Sequence, residues 1–407
     1  MKIFLLSLLL CGGVAAAPLT LPDALARVDA GHPWLRSRTT LISAAAARDD
    51  LASVAPPLEV SLQLENALGT GELRGARSLE TTLQFSRALD QADRRSARRA
   101  VAHAQSEAER AAWEERRRVL LAETARRFVL VVAAQATIET VTQQLALSQQ
   151  TVATVQTRLA KAAATVGELA RAKLAHTELV ITVEHAEHDL AAARQNLATL
   201  WNAPNADFTT ATADLAELPA VASFDQLAER LSSAPQQTHF AALLRWRRAE
   251  ESLALTQGAR GERRWSAGLR RAETTDDFGI VLGVDYAWPT KQAPRAQAAL
   301  ARADHDRVAT DRESAQLAAR ATLFSLYQEL GHAHVEYTAT HDELLPAVRE
   351  WIASIETGLA AGRYELRELL EARAALFAAQ RRQTQAAADY HLTLVAIEQL
   401  LGTSATH

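Results

Sequence analysis

From Ala76 to Val166 the chain contains neither glycine nor proline, and its body, Gln91 to Ala160, is dense in alanine, arginine, glutamate, glutamine and leucine. These are strong helix formers, and at 1.5 Å rise per residue one helix over that span is about 100 Å long. Compact domains do not hold helices of that length, so other segments must pair along it. Composition agrees. Only 16 of 407 residues are glycine, 11 are proline and 5% are aromatic, which favours long helices with small-residue packing over a globular enzyme. The 44 basic and 48 acidic residues nearly cancel, so nothing points to nucleic acid as a partner.

A repeat runs through the chain. Leu359 to Arg373 (LAAGRYELRELLEAR) aligns without a gap on Leu159 to Lys173 (LAKAAATVGELARAK), matching at Leu159/Leu359, Ala160/Ala360, Glu168/Glu368, Leu169/Leu369 and Ala172/Ala372. The register persists where Leu197-Ala198-Thr199-Leu200 falls on Ile397-Glu398-Gln399-Leu400. An offset of 200 residues is too long for a solenoid and fits a duplicated half. Flanking features recur in order: Asp23-Ala24-Leu25 and His32-Pro33 are echoed by Asp225-Gln226-Leu227 and Ala234-Pro235. The expected organisation is a first repeat over 18–206, a linker over 207–223, a second repeat over 224–402 and a tail over 403–407.

Residues 1–17 read as a secretory signal: Lys2 gives the positive end, Ile3 to Leu10 the apolar core and Val14-Ala15-Ala16 a small-residue cleavage site. The only cysteine, Cys11, then leaves with the signal, so the exported chain forms no disulfide. A lipoprotein reading of Cys11 competes with this one, although Leu10 stands where a small residue is usually required. No other stretch approaches the roughly 20 apolar residues of a membrane helix.

Each half reads as short helices, two strands and a long helical hairpin. Leu58, Val60, Leu62 and Leu64 alternate with Glu59, Ser61, Gln63 and Glu65; after a glycine-rich turn, Leu79, Thr81, Leu83 and Phe85 alternate with Glu80, Thr82, Gln84 and Ser86. Period two with one apolar and one polar face predicts strands at about 58–66 and 78–88. The second half offers strands at about 263–271 and 277–288. Helical hairpins are expected over about 91–201 and 294–401, the latter bent at Pro346, with turns at Lys161 to Gly167 and Gly358 to Gly362. In each half a helix of roughly twenty residues before the strands and one of nearly forty after the turn together match the long helix between them, so two short helices can pair alongside one long one.

The strands decide between readings. Nine to eleven residues is the length of a tilted strand crossing an outer membrane. Backbone polar groups in lipid must all be paired, and four strands cannot close a barrel. Such a protein must oligomerise: two copies give eight strands whose interior fills, and three give twelve and leave a lumen. The other reading is a pair of β-hairpins capping a soluble helical rod, with Arg263 and Arg271 on the Trp265 face in its favour.

The signal, the Ala-Leu to His-Pro opening, the strand ending Phe85-Ser86-Arg87-Ala88-Leu89 and the turn from Gly362 to Glu368-Leu369-Leu370-Glu371-Ala372 resemble the TolC-like outer membrane efflux family. The strand Leu62-Gln63-Leu64-Glu65-Asn66 is most similar to its heavy-metal, CzcC-type branch. The resemblance covers nearly the whole mature chain. It implies a homotrimer with a shared twelve-stranded β-barrel in outer-membrane lipid and a periplasmic helical tunnel. It also implies a periplasmic adaptor and an inner-membrane pump of the resistance-nodulation-division type as partners, with export of heavy-metal cations or small toxic compounds as the function. A pore-less periplasmic adaptor or coiled-coil scaffold is the reading from another class.

Two sets of residues follow as candidates. The helical turns, with Lys161, Ala162 and Gly167 in the first half and Ala361, Gly362, Arg363 and Tyr364 in the second, are expected to dock the adaptor, because small residues permit close backbone approach. The family's first turn usually carries glycine where this chain has Ala162. Glu368 and Glu371, three apart on one helix face and near the turn, are expected to form an acidic collar at a periplasmic aperture. The resemblance supports this, since the family is acidic at both positions. The first half keeps only Glu168, with Arg171 at the other place. No phosphate loop, nucleophile elbow or zinc-protease motif is present, so neither catalysis nor a cofactor is expected. His185/His188 and His332/His334 are the closest histidine pairs, and neither has an evident third metal ligand.

Overall fold

The structure, a computed structural model, describes residues 18–259, 261–288, 292–360 and 363–403. The signal, Cys11 and most of the tail lie outside the described residues. Two compact units are present, and each draws segments from both halves of the repeat. One comprises Ser37–Glu115 and Pro235–Leu317, the other Met1–Arg36, Arg116–Ala234 and Ala318–His407. The 69-residue helix α3 (Ala92–Ala160) contributes to both.

The first unit carries all four strands: β1 (Leu58–Glu65), β2 (Glu80–Ala88), β3 (Glu262–Ala272) and β4 (Asp277–Ala287). They form one antiparallel sheet in the order β1-β2-β3-β4. The two hairpins therefore join into one sheet. β2 pairs with β3 from Glu80↔Ala272 to Ala88↔Arg264, so backbone groups that a lone hairpin would leave open are satisfied across the halves of the repeat. Trp288 falls just outside β4. In this unit α2 (Ser37–Ser53) runs antiparallel to the start of α3, with Arg48 donating to Glu109 at 2.6 Å. The second half repeats the arrangement. α6 (Pro235–Ala259) runs antiparallel to the start of α7 (Gln292–Ala339), with Arg302 donating to Glu251 at 2.6 Å and Arg312 and Gln316 sharing the buried Gln237 Oε1.

The second unit is helical. It contains α1 (Leu21–Gly31), the rest of α3, α4 (Val166–Ala198), α5 (Phe224–Arg230), the rest of α7, α8 (Leu345–Ala360) and α9 (Leu366–Leu401). α3 and α4 are antiparallel, tied by Ser148 and His176 at 2.8 Å and by Arg127 donating to the Asn196 carbonyl at 2.6 Å. Leu323 and Leu330 of α7 pack with Tyr390, Leu394, Ile397 and Leu401 of α9, and Leu227 of α5 joins them. At Pro346 a five-residue π-helical segment, Thr340–Leu344, replaces the expected simple bend. Proline has no N–H to give the preceding turn and its ring crowds that turn's carbonyl. The helix widens there, and the Leu345 N–H reaches back five residues to the Thr340 carbonyl. Among the described residues no helix is long and apolar enough to cross a membrane.

Candidate functional site

The sheet has its polarity reversed relative to a water-soluble protein. Leu62 is 65% exposed, Ile280 77%, Leu282 76% and Val284 79%, while Thr82 and Ser266 on the opposite face are only 4% and 6% exposed. The strand registers explain this. Leu62 lies opposite Leu83, Leu83 opposite Leu269, and Leu269 opposite Ile280, so one apolar row crosses all four strands. The alternate residues form a polar row, and ion pairs bind it together. Arg264 pairs with Glu59, and Arg270 reaches Glu80 at 3.0 Å and Glu65 at 3.4 Å. Gly268 and Gly283 stand in this row, where a Cβ would strike the Leu83 carbonyl and the Ser266 hydroxyl respectively. Arg271, on the apolar side at a strand end, pairs with Glu273 and Asp276 and lies 5.7 Å from the centre of the Phe278 ring. Tyr286 and Trp288 meet edge to face at the other end of β4. β1 and β4 are the sheet's outer edges.

The second region is where the helical hairpins turn. Val155, Ala172, Ile355, Leu366, Leu369 and Ala372 form one buried cluster, with Val152, Leu169 and Ile352 packed against it. Four pairs in it, Val152/Ile352, Val155/Ile355, Leu169/Leu369 and Ala172/Ala372, stand 200 positions apart. The aligned stretches thus build opposing walls of one core. Only Leu169/Leu369 and Ala172/Ala372 stood out as identities; Val152/Ile352 and Val155/Ile355 become visible when the same offset is carried upstream.

Ala162 sits at φ 55°, the left-handed region in which glycine is free of strain. The Lys161, Ala162 and Ala163 N–H groups turn back to the Arg158 and Leu159 carbonyls. Gly167 lies within the first turn of α4, inside a capping box in which the Thr165 N–H donates to Glu168 at 2.6 Å and the Glu168 N–H donates to the Thr165 hydroxyl at 3.1 Å. The Thr165 backbone N–H and then its hydroxyl hold the Glu168 carboxyl below the usual carboxylate range. Ala361 and Gly362 lie outside the described residues. Around them, Gly358 is helical, the Arg363 N–H donates to its carbonyl at 2.8 Å, and the Tyr364 ring occupies the space a Cβ on Gly358 would need. That contact was not visible in the sequence pattern.

Glu368 and Glu371 share the start of α9, Glu368 half-buried and Glu371 exposed with Arg367 3.8 Å away. Glu365 occupies the N-cap position and forms no side-chain cap, which adds a third carboxylate beside them that the sequence reading omitted. Arg373 is turned away, bonded to Thr151 and paired with Glu356 at 3.1 Å. Of the histidines, His188 meets Glu184 at 3.1 Å and His332 meets Glu336 at 3.8 Å. Among the described residues no three acidic, histidine or cysteine side chains could together hold a metal ion.

No protein-family profile matches the chain, and neither does any curated protein. Solved structures do. The chain is similar to CusC, described in terms of transmembrane channel formation, with a TM-score of 0.77 and 16% identity over 94% of this chain and 92% of that one. It is similar to the outer-membrane channel OprN at a TM-score of 0.77 and 18% identity over 94% of this chain and 89% of that one. The outer membrane protein VceC of Vibrio cholerae gives 0.73 and 14% identity over 94% and 96%. The chain therefore shares the fold of these solved structures, long helices together with four antiparallel strands.

Proposed function

We propose that this chain is the outer-membrane component of a tripartite export system, a passive conduit formed by three copies. The observation that carries the reading is the sheet whose apolar face is exposed and whose polar face is ion-paired and partly buried. Such a sheet suits lipid outside and water inside. Open edges in lipid cost several kcal/mol for each unsatisfied group, so β1 of one copy pairs with β4 of the next, and three copies close twelve strands around a lumen. The helical unit forms the periplasmic part, and the turns at Lys161 to Gly167 and Leu359 to Tyr364 meet the adaptor. An inner-membrane pump supplies the cargo. The chain itself catalyses nothing.

Cations are the cargo class that the polar row favours, since Glu59, Glu65, Glu80, Asp277 and Asp285 stand there against Arg264 and Arg270. Heavy-metal ions are the finer choice, supported by the resemblance of Leu62 to Asn66 to the heavy-metal branch. Fractionation tests the reading. A heat-modifiable oligomer of three chains extracted from outer membranes by detergent is expected; a soluble periplasmic monomer would favour the pore-less scaffold instead. A deletion strain then identifies the cargo by the toxicant it fails to export.

A further inference from the structure

Within the helical unit, a cavity of about 430 Å³ lies between α1, α3, α9 and the connector over 212–219. Its floor is apolar: Phe128, Val132 and Leu394 line it and are 2%, 6% and 8% exposed. Its rim is acidic, with Asp214 and Glu217 on the connector and Glu398 on α9, and none of the residues lining it is lysine or arginine. The connector that forms the rim is pinned at both ends. The Thr212 N–H donates to the Leu19 carbonyl at 2.9 Å, Gln135 bonds both the N–H and the carbonyl of Ala211 at 2.8 Å, and the Tyr390 hydroxyl donates to the Pro219 carbonyl. Midway, His391 Nε2 donates to the Leu215 carbonyl at 3.2 Å. Burial holds the His391 ring below its ordinary pKa against the opposing pull of the Leu215 carbonyl, Asp214 and Glu217. It is therefore uncharged at neutral pH and does not offset the carboxylates.

A preformed, drug-sized cavity with a greasy floor and a few converging polar groups has the form of a small-molecule site. The sign of the rim selects the ligand. An anion meets like charges there, a strongly hydrated metal ion loses water to an apolar floor that offers no ligands, and a neutral apolar molecule leaves the carboxylates unused. We propose that this cavity binds a small amphipathic organic cation, a hydrophobic amine or onium ion. The apolar body would lie against Pro22, Leu215 and Pro219, above the closed layer of Phe128, Val132 and Leu394, with the charge at the Asp214 and Glu217 rim. The site is separate from the conduit reading, because occupancy is measured directly and does not depend on whether the chain conducts.

The test uses the full chain purified in detergent, with tetraphenylphosphonium as the probe and neutral triphenylphosphine oxide as its uncharged counterpart. Isothermal titration against a matched detergent blank is expected to give one saturable phosphonium site per chain and binding at least about tenfold weaker for the oxide. Asp214→Asn with Glu217→Gln, both exposed, should weaken phosphonium binding by about tenfold or more. Ala213→Trp, which fills the cavity from its exposed rim, should abolish it. Circular dichroism checks that each variant remains folded. No saturable site, equal binding of the oxide, or full binding by both variants would overturn the proposal.

Discussion

Ala162 holds a backbone conformation that costs a residue with a Cβ about 1 to 2 kcal/mol, so the Ala162→Gly substitution should make this turn more stable by about 1 kcal/mol. Slower hydrogen exchange at the Ala163 amide, whose bond to the Arg158 carbonyl closes the turn, would show it. The Glu123 carboxyl of α3 is held well below the ordinary carboxylate range, at about 2. Hydrogen bonding to Arg126 is the largest cause, burial opposes it, and Arg127 adds to it. A carboxyl whose folded pKa is depressed contributes stability that is full above its unfolded value, near 4.5, and disappears as pH falls toward about 2. Wild type should therefore lose more stability than Glu123→Gln between pH 5 and pH 2, measured by thermal melts. Equal losses would mean that solvent screening removes the effect. Glu168 and Glu368, aligned in the repeat, have parted in role. Glu168 is committed to its capping box, whereas Glu368 stands beside Glu365 and Glu371 at a helix start without a side-chain cap. The double substitution Glu368→Gln with Glu371→Gln should reduce cation preference, read as reversal potential under a salt gradient across a planar bilayer. Glu168→Gln should leave that potential unchanged and weaken only the start of α4.

At the scale of elements, each strand carries an apolar row on one face and a polar row on the other, and the pleat sorts its residues between them. Charge on the apolar row should be costly where the reading places lipid. Leu62→Arg or Leu282→Arg is expected to destabilise the assembled sheet by about 2 to 4 kcal/mol near the membrane midplane, while Gln63→Arg on the polar row is tolerated. The heat-modifiable oligomer, compared across the three variants on gels, supplies the measurement; equal assembly would mean that the faces are assigned wrongly. The helices divide their work similarly. α9 buries Leu366, Leu369 and Ala372 along one side and leaves Arg367 and Glu371 on another, a spacing that matches 3.6 residues per turn. The π segment before Pro346 keeps the chain helical across a residue that would otherwise break it, by shifting one hydrogen bond a residue further back.

For the whole molecule, duplication supplies two similar halves, and each compact unit takes segments from both. The four-stranded sheet joins the halves through β2 and β3. The core at the helical turns joins them through Val155 and Ile355 with their neighbours. Open edges on β1 and β4 leave the sheet incomplete as a membrane element in one copy. That is the physical reason a single chain is not the working unit in the function proposed here.

Sequence alone determined what depends on local periodicity. The glycine- and proline-free run yields α3 as one 69-residue helix, alternation yields strands within two residues of their observed ends, and the 200-residue offset exposes the duplication. These follow from side-chain spacing of 3.6 or 2 along a chain, which needs no knowledge of neighbours. The tertiary structure decided what depends on partners far apart in sequence. The β2 and β3 pairing, the ion pairs of Arg264 and Arg270, the turning of Arg373 away from Glu371 and the cavity beneath the connector are all of this kind. Hydrogen bonds and charges at those sites join residues as much as 222 positions apart. No periodicity encodes such a contact, because only the packed chain sets which backbone and side-chain groups must satisfy one another.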